Sequence, residues 1–389
     1  MGLDAIAGWI GELYAPQESS SSSLRRRQAL REYNALLERT SPDEPGAGAC
    51  LPCLAAGKAQ RRKERHDLIR KTQANAVEEA DPLRQRQLLA AADRLAGDME
   101  RVEDARIAAH VYTAHPDGVE QAGFLQPLRE QAPPGFRIAT VEQVAEDFGI
   151  DSGKLRKLID NPANPSQKIM FYERDTEVLG PGSKYKVAFR GSTSDRLDWN
   201  NNGRNEAGYE APHQKNAARL GALLRDAGAE QGLSIDDLIS ATGHSKGGSE
   251  AQAFVAASGA AARVFNPAGF DPRQYAQTAT VLPEQMRIDR TTVLDIDASG
   301  RINQARTDPL YYAQHEGLLS KYLMKKPVTS GAPRELAPID PNLSVPSAEQ
   351  SPTEAHSMLQ VIEALERDKR ADQELLQQYR PAMNEVPFP

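Results

Sequence analysis

From residue 140 onward, the chain alternates between short apolar runs and segments in which apolar residues recur at helical spacing. The short runs have the length and composition of buried strands and lie at 168–172, 185–189, 237–242, 262–266 and 291–296. The segments with helical spacing lie at 140–148, 152–159, 214–228 and 248–258. Strands that alternate with helices predict an α/β fold with a mostly parallel central sheet flanked by helices.

The first hundred residues have a different pattern. Segment 76–113 is rich in strong helix formers, and Leu88, Leu95 and Met99 recur at roughly helical intervals. A run of serines at 19–23 is typical of a linker. These features predict two domains, a helical and partly flexible N-terminal extension over 1–104 and an α/β domain over 105–389.

Composition and charge fit a globular chain with a sizeable core, since 39% of its 389 residues are hydrophobic and 26% are charged. The formal net charge of −7 argues against nucleic acid as a partner. No apolar run approaches the roughly 20 residues needed to cross a bilayer. Residues 1–15 contain two acidic residues and no Lys or Arg, unlike a secretory signal peptide. We therefore expect export, if it occurs, to use a route without a cleaved leader.

The two cysteines of the chain, Cys50 and Cys53, form a Cys-x-x-Cys pair. Such a pair is typical of redox or zinc sites, but a second pair and a preceding thioredoxin-like strand are both missing from the sequence, so neither site is expected. Basic residues crowd the following segment, 58–71. A solvated helical face is one interpretation of that segment, and contact with anionic lipid, with or without lipidated cysteines, is the other.

Between the strand at 237–242 and the helix at 248–258, the chain contains Gly243-His244-Ser245-Lys246-Gly247. Gly-x-Ser-x-Gly in this setting is the nucleophile elbow of serine hydrolases. Glycines on both sides let strand and helix approach closely around a serine held in a strained conformation. The motif makes Ser245 the candidate nucleophile, at the carboxyl end of the sheet of an α/β-hydrolase.

A nucleophilic serine needs an imidazole base and a carboxylate that orients the base. In α/β-hydrolases the acid and then the histidine follow the serine, which leaves His315 and His356. His356 follows a Pro- and Ser-rich loop and precedes the last helical segment, so its position favours it over His315. Asp295, Asp297 and Asp308 compete as the acid, and spacing alone leaves Asp297 and Asp308 nearly equal.

The oxyanion of an ester-cleavage intermediate needs two N–H donors. The residue after the nucleophile, here Lys246, supplies one, and a loop after an earlier strand supplies the other. The strand at 185–189 is followed by Arg190-Gly191-Ser192-Thr193, in which Ser192 offers both an N–H and a hydroxyl. This stretch is the candidate loop.

Together these residues resemble the class 3, fungal-type lipase family. Its members carry a strand ending in Phe-Arg-Gly-Ser/Thr, a Trp a few residues later, Gly-His-Ser-x-Gly-Gly, Asp-Pro and a late His. The matching residues here are Phe189 to Ser192, Trp199, Gly243 to Gly248, Asn266-Pro267, Asp308-Pro309 and His356. The resemblance implies a triad of Ser245, Asp308 and His356, an oxyanion hole formed by the Ser192 and Lys246 amides, and a lid at 193–206.

Two departures from that family bear on the substrate. Residue 246 is Lys where leucine is usual, and the lid segment is polar where an apolar one is expected. A polar lid argues against strong interfacial activation on neutral fat and leaves phospholipid, or another ester, more open as the substrate.

The chain also resembles bacterial lipase-like effectors. The likeness lies in the Gly-His-Ser-Lys-Gly-Gly elbow, the helical N-terminal region without a leader, and His356-Ser357-Met358 before a closing helix. It implies a phospholipase A-type toxin that a specialised secretion system delivers to target-cell membranes. Its partners would be the phospholipid surface, a secretion-system component and an immunity protein kept by the producer.

The sequence therefore predicts a serine esterase that hydrolyses acyl esters of membrane glycerophospholipids, with no metal or organic cofactor. A serine hydrolase acting on a non-lipid ester and a catalytically idle binding protein with a lipase fold are the alternatives.

Overall fold

The structure, a computed structural model, describes most of the chain from residue 79 to 293 and two later segments. The described residues are 79–114, 132–193, 195–206, 209–271, 285–293, 332–336 and 358–378, with isolated positions at 69, 73, 76, 275, 278, 280 and 281. They divide into two compact units. The larger unit takes those within 103–174 and 182–364, and the smaller takes those before 103, within 175–181 and after 364.

Seven described strands form one sheet in the larger unit, and their order in the sheet follows the chain. They are β1 (Phe136–Ala139), β2 (Ile169–Arg174), β3 (Tyr185–Phe189), β4 (Ile239–His244), β5 (Ala262–Phe265), β6 (Ile288–Val293) and β7 (Ala332–Leu336). β1 to β3 pair antiparallel, whereas β3 to β7 pair parallel. This mixed, mostly parallel sheet with its helices confirms the predicted α/β class.

The described helices include those between β3 and β4 and the one between β4 and β5. They are α1 (Pro82–Ala114), α2 (Val141–Asp147), α3 (Ser152–Ile159), α4 (Thr176–Leu179), α5 (Arg196–Glu206), α6 (Pro212–Glu230), α7 (Ile235–Leu238), α8 (Lys246–Ser258) and α9 (Met358–Gln378). None of these described helices combines the length and the apolar character that a bilayer crossing requires. The proposed boundary at 104/105 falls inside α1 and stays a prediction.

Local sequence accounts for several helix starts. Thr140 and Gln143 form a capping box at α2, in which each side chain accepts a hydrogen bond from the backbone N–H of the other residue. The Asp151 carboxylate accepts from the Lys154 N–H at 2.9 Å and so caps α3. These pairs satisfy N–H groups that have no acceptor within their own helices.

The edge strands β1 and β7 were not predicted, whereas β3 has the predicted bounds. β1 has only four residues, of which Phe136 and Ala139 are buried, and β7 contains Pro333, Arg334 and Glu335. Edge strands tolerate proline and charge, so their apolar alternation is weak. The predicted start of β4 was also early, because the residues before Ile239 form the short helix α7.

The two faces of the sheet carry different side chains. One face forms an apolar core with α6 and α8, to which β3 contributes Tyr185, Val187 and Phe189. The intervening Lys186 is buried as well, but it points to the opposite face because side chains alternate along a strand. There its ammonium lies 2.7 Å from the carboxylate of Asp104, which belongs to α1.

Candidate active site

Ser245 occupies the turn between β4 and α8 with a strained backbone, φ 56° and ψ −125°. Among the described non-glycine residues only Asn266, just after β5, shares a positive φ. Such conformations cost on the order of 1–3 kcal/mol and persist where the surroundings impose them. Here the Ser245 N–H donates to the Phe265 carbonyl (3.1 Å), and the Ser245 carbonyl accepts from the N–H of Ala268 (2.9 Å) and of Gly248 (3.0 Å). The end of β5 and the loop after it therefore hold the turn.

The two glycines of the motif are required by close backbone contacts. A Cβ on Gly243 would lie 2.2 Å from the carbonyl oxygen of Gly247, and a Cβ on Gly247 would lie 2.1 Å from that of Phe189. Both contacts involve backbone atoms that no side-chain movement can relieve. The turn thus requires the backbones of β4, α8 and the end of β3 to pack directly against one another, with no side chain between them.

The Ser245 side chain stands at the amino end of α8. The residue is 4% exposed, and its hydroxyl makes no capping hydrogen bond to the first turn of the helix. The first intrahelical bond runs from the Gly248 N–H to Ser245, so the amides of Lys246 and Gly247 precede it. Amides in this position, together with the helix dipole, favour an anion beside them.

The loop after β3 leaves the sheet at the same edge as the elbow, because Phe189 pairs in parallel with Gly243. The structure thus brings Ser192 and Lys246, the two residues predicted to supply oxyanion amides, to one edge of the sheet. The Ser192 hydroxyl accepts a hydrogen bond from the Asn202 side chain at 2.7 Å. Their action on an oxyanion stays a prediction.

Helix α5, within the segment expected to be a lid, holds this loop through several side chains. Asp198 Oδ2 accepts from the N–H of Thr193 (2.9 Å) and from its hydroxyl (3.0 Å). The indole N–H of Trp199 donates to the Thr193 carbonyl at 2.9 Å. With Asn202, these residues fix the loop after β3 to α5.

The Lys246 side chain lies in a buried group of charges, here called the elbow cluster: Asp198, His213, Lys246 and Glu250. The Lys246 ammonium is 2.6 Å from Asp198 Oδ1, 3.0 Å from His213 Nδ1 and 3.4 Å from Glu250 Oε1. Each of the four side chains is 4% exposed or less. A buried ammonium of this kind needs its carboxylates, since an unpaired buried charge is strongly destabilising.

The surroundings of the elbow cluster shift two pKa values. Burial alone would raise the pKa of Asp198, but the Lys246 charge and the hydrogen bonds from Lys246 and Thr193 together lower it. Burial, followed by the Lys246 charge, lowers the pKa of His213 and outweighs the nearby carboxylates. His213 is therefore a neutral imidazole that accepts from Lys246 at Nδ1 and faces the Ser166 hydroxyl at Nε2 (3.3 Å).

Tyr112 of α1 reaches the other side of the elbow. Its hydroxyl forms a 3.0 Å hydrogen bond with His244 Nδ1 and accepts one from the Gly191 amide. A Cβ on Gly191 would lie 1.8 Å from this hydroxyl. Burial raises the pKa of Tyr112, so the group stays a neutral phenol. Tyr112 thus links the residue before Ser245 to the loop after β3.

Comparison with protein families identifies the family of this chain. The model of the Tle-like phospholipase domain matches residues 103–337, more than half of the chain, including Ser192, Ser245 and Lys246. The chain belongs to this family. Membership supports a phospholipase-type ester hydrolase, as predicted. The same match supports the resemblance to bacterial phospholipase effectors, while the likeness to class 3 lipases stays a prediction. Comparison with the curated proteins finds no match.

The other predicted residues of the phospholipase site lie outside the described residues: Asp308, His356 and the alternatives Asp295, Asp297 and His315. So do Cys50, Cys53 and all of segment 58–71 except Ile69. The family match includes Asp308 and His315 and ends before His356, while α9 begins two residues after His356. Among the described residues no cluster of His, Cys, Asp or Glu could hold a metal ion.

Sequence reasoning missed the side chains of the elbow cluster. A signal was present in α5, where polar residues recur with helical spacing at Asp198, Asn201, Asn202 and Asn205. Asp198, Asn201 and Asn205 are 3% exposed or less, whereas Leu197 is 46% exposed. In this phospholipase domain the polar stripe of α5 faces inward, the reverse of an ordinary amphipathic helix.

Proposed function

We propose that the chain is a serine esterase that cleaves an acyl ester of membrane glycerophospholipids, a phospholipase A-type activity. The observation that carries this proposal is the strained elbow in a phospholipase-family domain: Ser245 has a positive φ beside the first amides of α8. A serine that only fills space gains nothing from that strain. A nucleophile gains from it because its hydroxyl then stands clear of strand and helix.

The proposed reaction has two halves. Ser245 Oγ attacks the ester carbonyl carbon while His356 accepts the hydroxyl proton, and Asp308 keeps the imidazole in the required tautomer. The resulting oxyanion is bound by the amides of Ser192 and Lys246. Collapse of the intermediate releases the lysophospholipid, whose alkoxide oxygen takes the proton back from the imidazole, and leaves the acyl group on Ser245.

The second half repeats the chemistry with water. His356 accepts a proton from a water molecule that attacks the acyl carbonyl, and the same two amides bind the second oxyanion. The bond to Ser245 Oγ then breaks, the proton returns to the serine, and a fatty acid leaves. No step requires a metal ion or an organic cofactor.

We also propose a secreted toxin as the biological setting. The elbow sequence and the family match support this assignment, and it implies delivery to a target membrane and an immunity protein in the producer. Directed expression in bacteria provides a test. Wild-type protein should arrest growth and deplete phospholipid when sent to the susceptible compartment, and Ser245→Ala should do neither. If both proteins arrest growth, the toxicity does not depend on ester cleavage by Ser245.

Lipid mass spectrometry with purified protein tests the enzymatic proposal. Vesicles of a diacyl glycerophospholipid should yield lysophospholipid and free fatty acid, and Ser245→Ala should lower the rate by on the order of 10³-fold or more. His356→Ala should cause a similar loss, with His315→Ala as its matched control. Hydrolysis that persists in Ser245→Ala would exclude the proposed nucleophile, and loss in His315→Ala alone would transfer the role of base to that residue.

A further inference from the structure

The carboxylate of Asp198 connects the two segments that flank the reacting carbonyl in the proposed reaction. Its Oδ1 is 2.6 Å from the ammonium of Lys246, the residue after the nucleophile. Its Oδ2 accepts both the N–H and the hydroxyl of Thr193, the residue after Ser192. Each oxygen of one fully buried carboxylate therefore binds a different one of the two segments that carry the proposed oxyanion amides.

We propose that Asp198 is a positioning residue, which holds the Ser192 and Lys246 amides at the spacing needed to bind the oxyanion. This inference rests on the proposed serine mechanism. It also accounts for the lysine at position 246, because its ammonium joins the elbow to α5 through this carboxylate. Helix α5 then acts as a brace for the active site, and it would have to break a buried ion pair in order to open as a lid.

Neighbouring contacts support a brace. Trp199 donates to the Thr193 carbonyl and Asn202 donates to the Ser192 hydroxyl, so three side chains of α5 bind two consecutive loop residues. Further along the helix, Asn205 donates to the Gly269 carbonyl at 2.8 Å. The loop containing Gly269 also binds the elbow, through the Ala268 N–H and the Ser245 carbonyl. α5 is thus anchored both to the loop after β3 and to the loop after β5, which binds Ser245.

Asp198→Asn is a sharp test because an amide has one acceptor oxygen where the carboxylate has two. The variant can satisfy the Lys246 side or the Thr193 side but not both. On a soluble short-chain ester we expect kcat to fall on the order of 10- to 100-fold with KM within about 3-fold, since a displaced oxyanion donor weakens the transition state more than the bound substrate. A boronic acid that mimics the tetrahedral intermediate should lose affinity by a similar factor.

Asp104→Asn is the matched control, because Asp104 is a buried carboxylate bound by Lys186 and Arg263 on the opposite face of the sheet. It should lower the Tm while leaving kcat and inhibitor affinity within about 2-fold of wild type, since it removes ion-pair partners without touching an oxyanion donor. An equal loss of kcat in Asp104→Asn would mean that loosening of the whole domain explains both variants, and would overturn the positioning role. Unchanged kcat and inhibitor affinity in folded Asp198→Asn would overturn it too.

If Asp198→Asn does not fold, Thr193→Val provides a milder version, since it removes the hydroxyl donor to Asp198, together with the acceptor of the Asp195 N–H, and keeps the bond from the Thr193 N–H. A loss in kcat of about 3- to 10-fold at constant KM is expected for one neutral donor to a charged acceptor, and an unchanged kcat would contradict the proposal. Ser245→Ala separates this inference from the proposed function. Activity that survives in Ser245→Ala removes the mechanism itself, whereas an inactive Ser245→Ala beside a fully active Asp198→Asn removes only the brace.

Discussion

Two buried lysines of the domain use the same ion-pair chemistry in different places. Lys246 pairs with Asp198 beside Ser245, whereas Lys186 pairs with Asp104 on the polar face of the sheet. We call the second group, Asp104, Lys186 and Arg263, the strand cluster. Its hydrogen bonds join α1 to β3 and β5 and reach none of the predicted site residues that the structure describes. Burial of a charge therefore does not by itself indicate catalysis, and the contacts around each pair distinguish the two roles.

Removal of the charge at each of the two lysines should give the largest difference in kcat between the elbow cluster and the strand cluster. Lys246→Met keeps the amide but leaves Asp198 without its cation, so we expect kcat to fall on the order of 10- to 100-fold and stability to fall by about 3–5 kcal/mol. Lys186→Met should cost less stability, because Arg263 still faces Asp104 at 3.1 Å, and should leave kcat within about 2-fold. Ester kinetics and urea unfolding of both variants measure the contrast. Equal losses of kcat would remove the distinction between the clusters.

A smaller difference in kcat is expected between variants of two tyrosines that form hydrogen bonds with histidines. Tyr112→Phe removes the hydroxyl that bonds His244 and the Gly191 amide, so we expect a loss in kcat of about 3- to 10-fold. Tyr172→Phe is its control, because the Tyr172 hydroxyl bonds His110 Nδ1 at 2.7 Å in a second tyrosine–histidine pair, which is buried. It should reduce the Tm without reducing kcat. If Tyr172→Phe lowers kcat as much as Tyr112→Phe does, the loss of kcat is not specific to the tyrosine beside the elbow.

The smallest effect concerns pH. The folded-state pKa of His213 lies below its ordinary value, so the unfolded chain takes up a proton before the folded one as the pH falls. The stability that His213 contributes is therefore present above about pH 6.5 and is lost as the pH falls toward the folded-state pKa, by at most about 1.4 kcal/mol per pH unit. Urea unfolding at pH 7.5 and 5.5 should show a steeper dependence for wild type than for His213→Gln. Parallel dependences would mean that the folded and unfolded chains bind the His213 proton equally, so that folding does not lower the pKa of this imidazole.

The sequence was sufficient for the parts of this domain that depend on local patterns. The apolar runs predicted the central strands, with β3 matched at both ends, and the glycine spacing predicted the turn at Ser245. These elements can be predicted because a strand buried on both faces has a continuous apolar run and a tight turn has glycines at fixed spacing.

The charged layers could not be predicted in the same way. Asp104 and Tyr112 lie in a helical segment where polar residues normally face solvent, and their partners are strand residues distant in sequence. Asp198 was placed in a polar lid, although its inward orientation depends on Lys246, which the motif marks only for its amide. Tertiary contacts decide which buried charges pair, whereas the polarity of a single residue predicts that it faces solvent.

The proposed ester hydrolysis depends most directly on the reactivity of Ser245 at the elbow. Peptide mass spectrometry after incubation with a fluorophosphonate tests it, because the reagent phosphonylates serines that an adjacent base and oxyanion hole activate. We predict one covalent adduct per chain, on the peptide containing Ser245, with labelling slowed in Asp198→Asn and at the wild-type rate in Asp104→Asn. A folded protein that cleaves phospholipid while Ser245 stays unlabelled would contradict the account.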